Sequence, residues 1–196
     1  VDGDVVAHRL AREGAGGVER VRERVRAFID QLRSSPIAIE TEKANEQHYE
    51  LPPAFFEAFL GAHLKYSCAY WPAGVATLDD AERTMLELYI ERGRIADGQE
   101  VLDLGCGWGS FTLFAAERFP NSRFLAVSNS APQRAFIEAR AAECGLTNVE
   151  VRTADANVFD PGRTFDRVVS VEMLEHVKNY ERMLGRVASW IRPGGL

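Results

Sequence analysis

The chain has 196 residues, 46% hydrophobic and 27% charged, which is a globular composition and long enough to bury a core without staples. Lys+Arg number 23 against 29 Asp+Glu, a net charge of −6, which argues against a nucleic-acid binder because that role needs a basic face. The three cysteines, Cys68, Cys106 and Cys144, are an odd count with no C-x-x-C pair, so neither a disulfide framework nor a four-cysteine zinc site is expected.

Residues 1–16, Gly-rich and charged, read as frayed. With Asp2 and Asp4 they lack the layout of a signal peptide, and no apolar run approaches ~20 residues, so no transmembrane segment and a cytoplasmic setting are expected. Val18, Val21, Val25, Phe28, Ile29 and Leu32 recur at helical spacing and predict an amphipathic helix over 17–33. Its polar face, Arg20, Arg22, Arg24, Arg26 and Arg33 beside Glu19, Glu23 and Asp30, admits a membrane-surface reading; internal ion pairing on a solvated face is the simpler one. Ser35-Pro36 predicts a cap and the first turn of another helix. Pro52-Pro53 opens a short apolar helix over 54–60 that Gly61 closes. Thr77-Leu78-Asp79-Asp80 resembles a capping box with Asp in place of Glu, and a helix runs on to about Gly93.

From residue 100 the pattern alternates. Strands are predicted over 100–104, 123–127, 149–152 and 165–170, with helices over 109–119, 131–144 and 180–191. That alternation means an α/β fold with a doubly wound parallel sheet. A boundary near residue 97 separates a helical N-terminal cap region (1–97) from an α/β region (98–196). Arg192-Pro193-Gly194-Gly195 turns toward a further strand of which Leu196 is the first residue, so the α/β region reads as cut off before its fifth strand.

Val101-Leu102-Asp103-Leu104-Gly105-Cys106-Gly107-Trp108-Gly109 is an apolar strand running into D-x-G-x-G-x-G and then a helix. Glycines permit the tight turn and let a ligand approach the backbone, where a helix N-terminus leaves N–H groups free. The spacing Gly105, Gly107, Gly109 departs from the dinucleotide pattern G-x-G-x-x-G. Asp103 would crowd a pyrophosphate but suits an ammonium, such as that of the amino-acid part of S-adenosylmethionine. After the second strand no acid is present for a ribose, so Ser128, Asn129 and Gln133 are the candidate cofactor contacts, with an Asn-Ser helix cap as the alternative. In Thr153-Ala154-Asp155-Ala156-Asn157, Asp155 is a candidate partner for an adenine amino group, with Ala156 beside it, or else a loop cap.

Val171-Glu172-Met173-Leu174-Glu175-His176 follows the fourth strand. The ligand crevice of a doubly wound sheet lies at the carboxyl ends of its strands, so this cluster and the glycine loop are expected to meet. If the segment is helical, Glu172, Glu175 and His176 share a face. Two carboxylates neutralise an ammonium, and a His takes a proton near neutral pH. A helix N-terminus that favours acids is the alternative. A metal site would need a partner His, and none lies nearby in the sequence, so no metal is expected. His48-Tyr49-Glu50-Leu51-Pro52 and the segment 64–71 are dense in aromatics. Tyr66 and Ser67 suit a cap over a cofactor and Tyr70 and Trp71 suit a cation, although composition favours the core of a small helical subdomain. His8 and His63 read as surface residues, and Cys106 and Cys144 as structural.

HYELP (48–52), LKYSCAYW (64–71), VLDLGCGWGS (101–110), SNSAPQ (128–133) and VEMLEHVKNY (171–180) together resemble the cyclopropane fatty acid synthase family of class I S-adenosylmethionine-dependent methyltransferases. The last two are most similar to its coclaurine N-methyltransferase branch. The resemblance implies a Rossmann-like sheet and S-adenosylmethionine as cofactor. It implies amine binding by Glu172 and Glu175 with deprotonation by His176, and cofactor contacts from Tyr66, Ser67, Gly105, Gly107 and Gln133. From the cyclopropane synthases it implies instead a bicarbonate base contacted by Cys68 and Glu175. The family's sheet has seven strands, and a His and a Tyr that help hold bicarbonate come from a part this chain does not contain. The expected function is methyl transfer to an amine nitrogen of a small molecule. Cyclopropanation or methylation of lipid acyl chains is the alternative, and a non-catalytic S-adenosylmethionine-binding module is the alternative of another class. A nicotinamide dehydrogenase is disfavoured by the glycine spacing and the missing acid. A homo-oligomer is compatible with all of these.

Overall fold

A computed structural model describes residues 3–39 and 51–196; His48, Tyr49 and Glu50 of the first aromatic segment lie outside the described residues. Four parallel strands position the site: β1 (Glu100–Leu104), β2 (Arg123–Ser128), β3 (Val149–Thr153) and β4 (Arg167–Val169), in the order β3-β2-β1-β4. Leu102 stands opposite Leu125 on one side and Val168 on the other. Apart from Asp103, the interiors of β1 and β2 are apolar because helices cover both faces of the sheet. Val101 and Phe124 join Phe111 and Ala115 of α5 (Ser110–Arg118) on one face, together with Leu86 and Ile90 of α4 (Leu78–Arg92). Leu102, Leu104, Leu125 and Val127 join Phe165, Met183 and Trp190 on the other, the last two from α7 (Tyr180–Trp190). α6 (Ala131–Glu143) follows β2.

Polar side chains start these helices where the sequence places them. Thr77 Oγ1 accepts from the Asp80 N–H at 3.1 Å, and Asn179 Oδ1 accepts from the Arg182 N–H at 3.0 Å. Each satisfies a donor that the first turn leaves open. The fourth strand is shorter than expected. Phe165 instead forms an isolated bridge with Ile191, and the Val168 N–H donates to the Leu196 carbonyl at 2.9 Å.

The N-terminal region differs from expectation in two places. Residues Gly3–Gly14 form a helix, α1, rather than a frayed end, and α2 (Gly17–Ser34) follows it. Arg24 joins them by donating to the Ala15 carbonyl at 2.8 Å. Val18, Val25 and Phe28 of α2 are exposed. Ser35-Pro36 starts no helix. Ile37 is fully buried in the sheet's core, and Ala38 makes an antiparallel bridge with Val177. The Asn157 side chain accepts from Ala38 N–H at 3.1 Å and donates to its carbonyl at 3.0 Å. These long-range partners hold the strap extended, and a helix there would forfeit them. The short helix α3 (Pro53–Glu57) stops before Leu60. No helix among the described residues is long and apolar enough to cross a membrane.

Candidate active site

β1 delivers Asp103 and the glycine loop to the carboxyl edge of the sheet. Gly105 (φ +83) turns the chain so that its N–H and that of Cys106 both donate to the Val127 carbonyl at 2.9 Å. A Cβ on Gly105 would stand 2.7 Å from Met173 Cβ and Cγ, and one on Gly109 would stand 2.7 Å from Ile137 Cγ1. Those two glycines serve packing: one admits the segment after β4, the other admits α6. Gly107 (φ +54) has nothing among the described residues within 4 Å of its Cβ position and so leaves its backbone open to a ligand.

Asp103 is buried at 2% exposure and accepts from Thr112 Oγ1 at 2.6 Å. Burial pushes its carboxyl up to about 6, against the pull of the Thr112 hydrogen bonds. Such a group ionises fully when a cation arrives.

The segment after β4 is not an α-helix. Glu172 takes a left-handed backbone (φ +49), and only a short 3-10 turn, Leu174–His176, follows. The expectation that helical spacing aligns Glu172, Glu175 and His176 therefore fails. The turn at Glu172 brings all three to one cavity instead. Glu172 Oε1 accepts from the Cys68 backbone N–H at 3.0 Å, a bond that ties the N-terminal segment to the sheet and helps hold the strained residue.

Two cavities meet these groups. The larger, about 280 Å³, is walled by Tyr66, Ser67, Asp103, Glu172, Glu175 and His176 among others. The smaller, about 130 Å³, is walled by Ser128, Asn129, Gln133, Ala154, Ala156 and Phe159 among others. Gly105, Gly107, Glu172 and His176 belong to both walls. Gln133 is 2% exposed; its Oε1 accepts from Ser128 Oγ at 2.5 Å, and its Nε2 has no hydrogen-bond partner among the described residues. Trp108 Nε1 and Ser110 Oγ, in the wall of the larger cavity, are likewise without partners among the described residues.

Other expected residues lie elsewhere. Asp155 walls neither cavity; its Oδ1 accepts from the N–H of Asn157 at 2.8 Å, the loop-cap arrangement. Cys68 walls neither cavity and is exposed; its backbone N–H is what reaches Glu172. Gly109 caps α5. Tyr70 and Trp71 are about half exposed, which corrects the reading of the aromatic segment as core. His63 is half-buried rather than at the surface, its ring 5.2 Å from that of Phe114, and Cys144 is exposed at the end of α6. Among the described residues no group of three His, Cys, Asp or Glu side chains could hold a metal ion.

Sequence reasoning missed Lys65 and Tyr89, both in the wall of the larger cavity. Lys65 is 3% exposed. Burial lowers its pKa, while the neighbouring Cys68 and the carboxylates of Glu172 and Glu82 oppose that. Burial pushes the Tyr89 phenol up to about 12. The one available signal was residue choice: in a chain with 23 Lys+Arg, lysine occurs only at Lys43, Lys65 and Lys178.

Residues 38–196 match the family model described as mycolic acid cyclopropane synthetase. The chain belongs to that family. A curated relative, (S)-coclaurine N-methyltransferase of Thalictrum flavum subsp. glaucum, is 46% identical over 165 residues, 84% of this chain and 46% of that protein. A crystal structure of coclaurine N-methyltransferase bound to N-methylheliamine and SAH is similar at a TM-score of 0.87 and 40% identity, covering 96% of this chain and 55% of that one. A mycolic acid cyclopropane synthase complexed with SAH and CTAB is similar at a TM-score of 0.68 and 27% identity, covering 74% and 51%. The sheet and its helices are thus those of the family's S-adenosylmethionine-dependent methyltransferase fold. The chain spans about half the length of the curated relatives it matches.

Proposed function

We propose that this chain is the cofactor-binding part of an S-adenosylmethionine-dependent methyltransferase whose acceptor is an amine nitrogen of a small molecule. One observation carries the reading: the glycine loop and the Glu172/His176 pair stand in the walls of both cavities. A ligand lying from one cavity to the other would pass its central atoms along these residues.

The residues present fit the cofactor. Gln133 Nε2 is a buried donor without a partner among the described residues, and Gly107 leaves its backbone open. Ala154, Ala156 and Phe159 offer apolar surface to a base, with Ser128, Asn129 and Gln133 toward a ribose. Asp103, Tyr66 and Ser67 would hold the amino-acid end in the larger cavity. When bound, S-adenosylmethionine supplies an electrophilic methyl group. An amine is a nucleophile only when neutral, so its proton must go to the protein. Glu172 and Glu175 attract and orient the ammonium, and His176 accepts its proton. Glu172 enters that task already fixed by the Cys68 N–H, so little ordering remains when the amine arrives. The N-methyltransferase relative supports the amine as acceptor. We assign residues 1–97 to a cap region and 98–196 to the cofactor-binding region, and a cytoplasmic setting consistent with the free state of Cys68, Cys106 and Cys144.

A second reading, transfer to an unsaturated lipid acyl chain, is favoured by the cyclopropane synthase among the similar structures. Methyl-labelled S-adenosylmethionine with whole-cell extract separates the two. Label is expected in the base-extractable amine fraction, and His176→Ala should cut it about 10²-fold or more. Label recovered in saponified fatty acids would overturn the amine reading. Binding of the cofactor with no label transferred would point to a non-catalytic module.

A further inference from the structure

Lys65 is the one lysine or arginine in the wall of the larger cavity among the described residues, and the amine chemistry gives it no task. It is 3% exposed, a state lysine reaches almost only when its ammonium is partnered. The left-handed backbone of Leu64 (φ +47) seats Leu64 against Phe56 and Trp108, and the next residue enters the cavity wall. The Lys65 ammonium donates to Ser67 Oγ and lies 4.8 Å from the centroid of the Tyr89 ring. The ring face holds the cation from one side while the hydroxyl holds it from another.

We propose that Lys65 is a positioning residue that fixes the hydrogen-bond polarity of Ser67. An ammonium has donors only, so Ser67 Oγ must accept from it. The single Ser67 proton is then left to donate, and it requires an acceptor. Tyr89, also in the wall, remains a neutral phenol and can take that proton only while no better acceptor is present. With the Lys65 ammonium on one lone pair, the Ser67 hydroxyl turns its proton outward, an arrangement that suits an anionic oxygen. This rests on the S-adenosylmethionine reading, whose ligand carries a carboxylate at its amino-acid end. It goes beyond that reading in assigning the carboxylate's recognition to a lysine that need not touch it.

Calorimetric titration with two ligands tests this. S-adenosylhomocysteine has the carboxylate; 5′-methylthioadenosine keeps the adenosine and sulfur but lacks the amino-acid end. Lys65→Met should weaken S-adenosylhomocysteine roughly tenfold, the scale of one hydrogen bond to a charged group, and leave methylthioadenosine within about twofold. Ser67→Ala should do the same, and the double variant should be no weaker than Ser67→Ala alone, because the two act as one unit. If Lys65→Met does not fold by circular dichroism, Lys65→Gln carries the test with a smaller expected loss, since its amide still donates. Equal losses for both ligands would reduce Lys65 to a structural role and overturn the proposal. So would unchanged S-adenosylhomocysteine affinity, or losses that simply add in the double variant. Failure of the unmutated chain to bind S-adenosylhomocysteine at all would overturn the cofactor reading itself, and this inference with it.

Discussion

Gly105→Ala probes whether the glycine loop is built for packing or for the ligand. Two costs apply to the substituted residue. A side chain at φ +83 incurs the left-handed penalty of about 1–2 kcal/mol. Its Cβ would also stand 2.7 Å from Met173 Cβ and Cγ, atoms too near the backbone to swing aside, and overpacking of that kind costs about 1–3 kcal/mol. The sum is about 2–5 kcal/mol, which in a chain of this size lowers Tm by roughly 4–20 °C. Gly107→Ala carries only the first cost, because nothing lies within 4 Å of its Cβ position; its Tm should fall by roughly 2–8 °C. Its ligand affinity should fall more than its stability suggests, since the new methyl faces the cavities. Urea unfolding followed by circular dichroism, with an unchanged m-value, measures both variants on one scale. Equal losses in the two, or a larger loss at Gly107, would refute the division of labour between them.

The folded chain keeps on Asp103 a proton that the unfolded chain loses at 3.8, so this group's contribution to stability falls as pH rises from 3.8 to about 6. Asp103→Asn should therefore be relatively more stable than the parent above that window and lose the advantage below it; urea titrations on either side measure the difference. Glu172→Gly should relieve about 1 kcal/mol of left-handed strain and give up the Cys68 contact, so Tm stays nearly level while methyl transfer collapses. Ile37→Ala, at a position with no exposure, should cost about 2–5 kcal/mol, a core-sized loss from a segment outside every regular element. A loss below about 0.5 kcal/mol in urea unfolding would show that the strap does not belong to the core.

The strands and helices beyond residue 100 were legible because their signals are local. Val101–Leu104 and Phe124–Val127 are apolar runs bounded by turn residues, and Ser130 and Asn179 cap the helices that follow. The strap at Ile37 and Ala38 was not legible, since its partners Asn157, Val177 and Lys178 lie far along the chain and overrule the helix-start signal of Ser35-Pro36. Glu172, Glu175 and His176 reach one cavity, but by a geometry the sequence did not announce: no propensity places a glutamate in the left-handed region, and the tertiary tie to Cys68 helps hold it there. Asp155 was ambiguous between ligand and cap, and the N–H of Asn157 two residues on supplies the partner of a cap. Lys65 was invisible because a lysine is expected in solvent until an aromatic ring and a hydroxyl are shown around it.

The strap has a consequence in time as well as in space. Asn157 grips Ala38 across 119 positions of chain, and Asn179 reaches back 146 positions to the carbonyl of Arg33. Closing such long loops is repaid only once the α/β region that carries both asparagines exists, so the strap is the last part to be won in folding. By the same reasoning it is the part that opens alone. Amide hydrogens of Ala38 and Lys178 should exchange with solvent through this partial opening while those of β1 wait for global unfolding. Ala38 also walls the smaller cavity, so a ligand resting there would slow the exchange of an amide on a distant stretch of sequence. The strap's exchange rate thus serves as a clock for occupancy of the site.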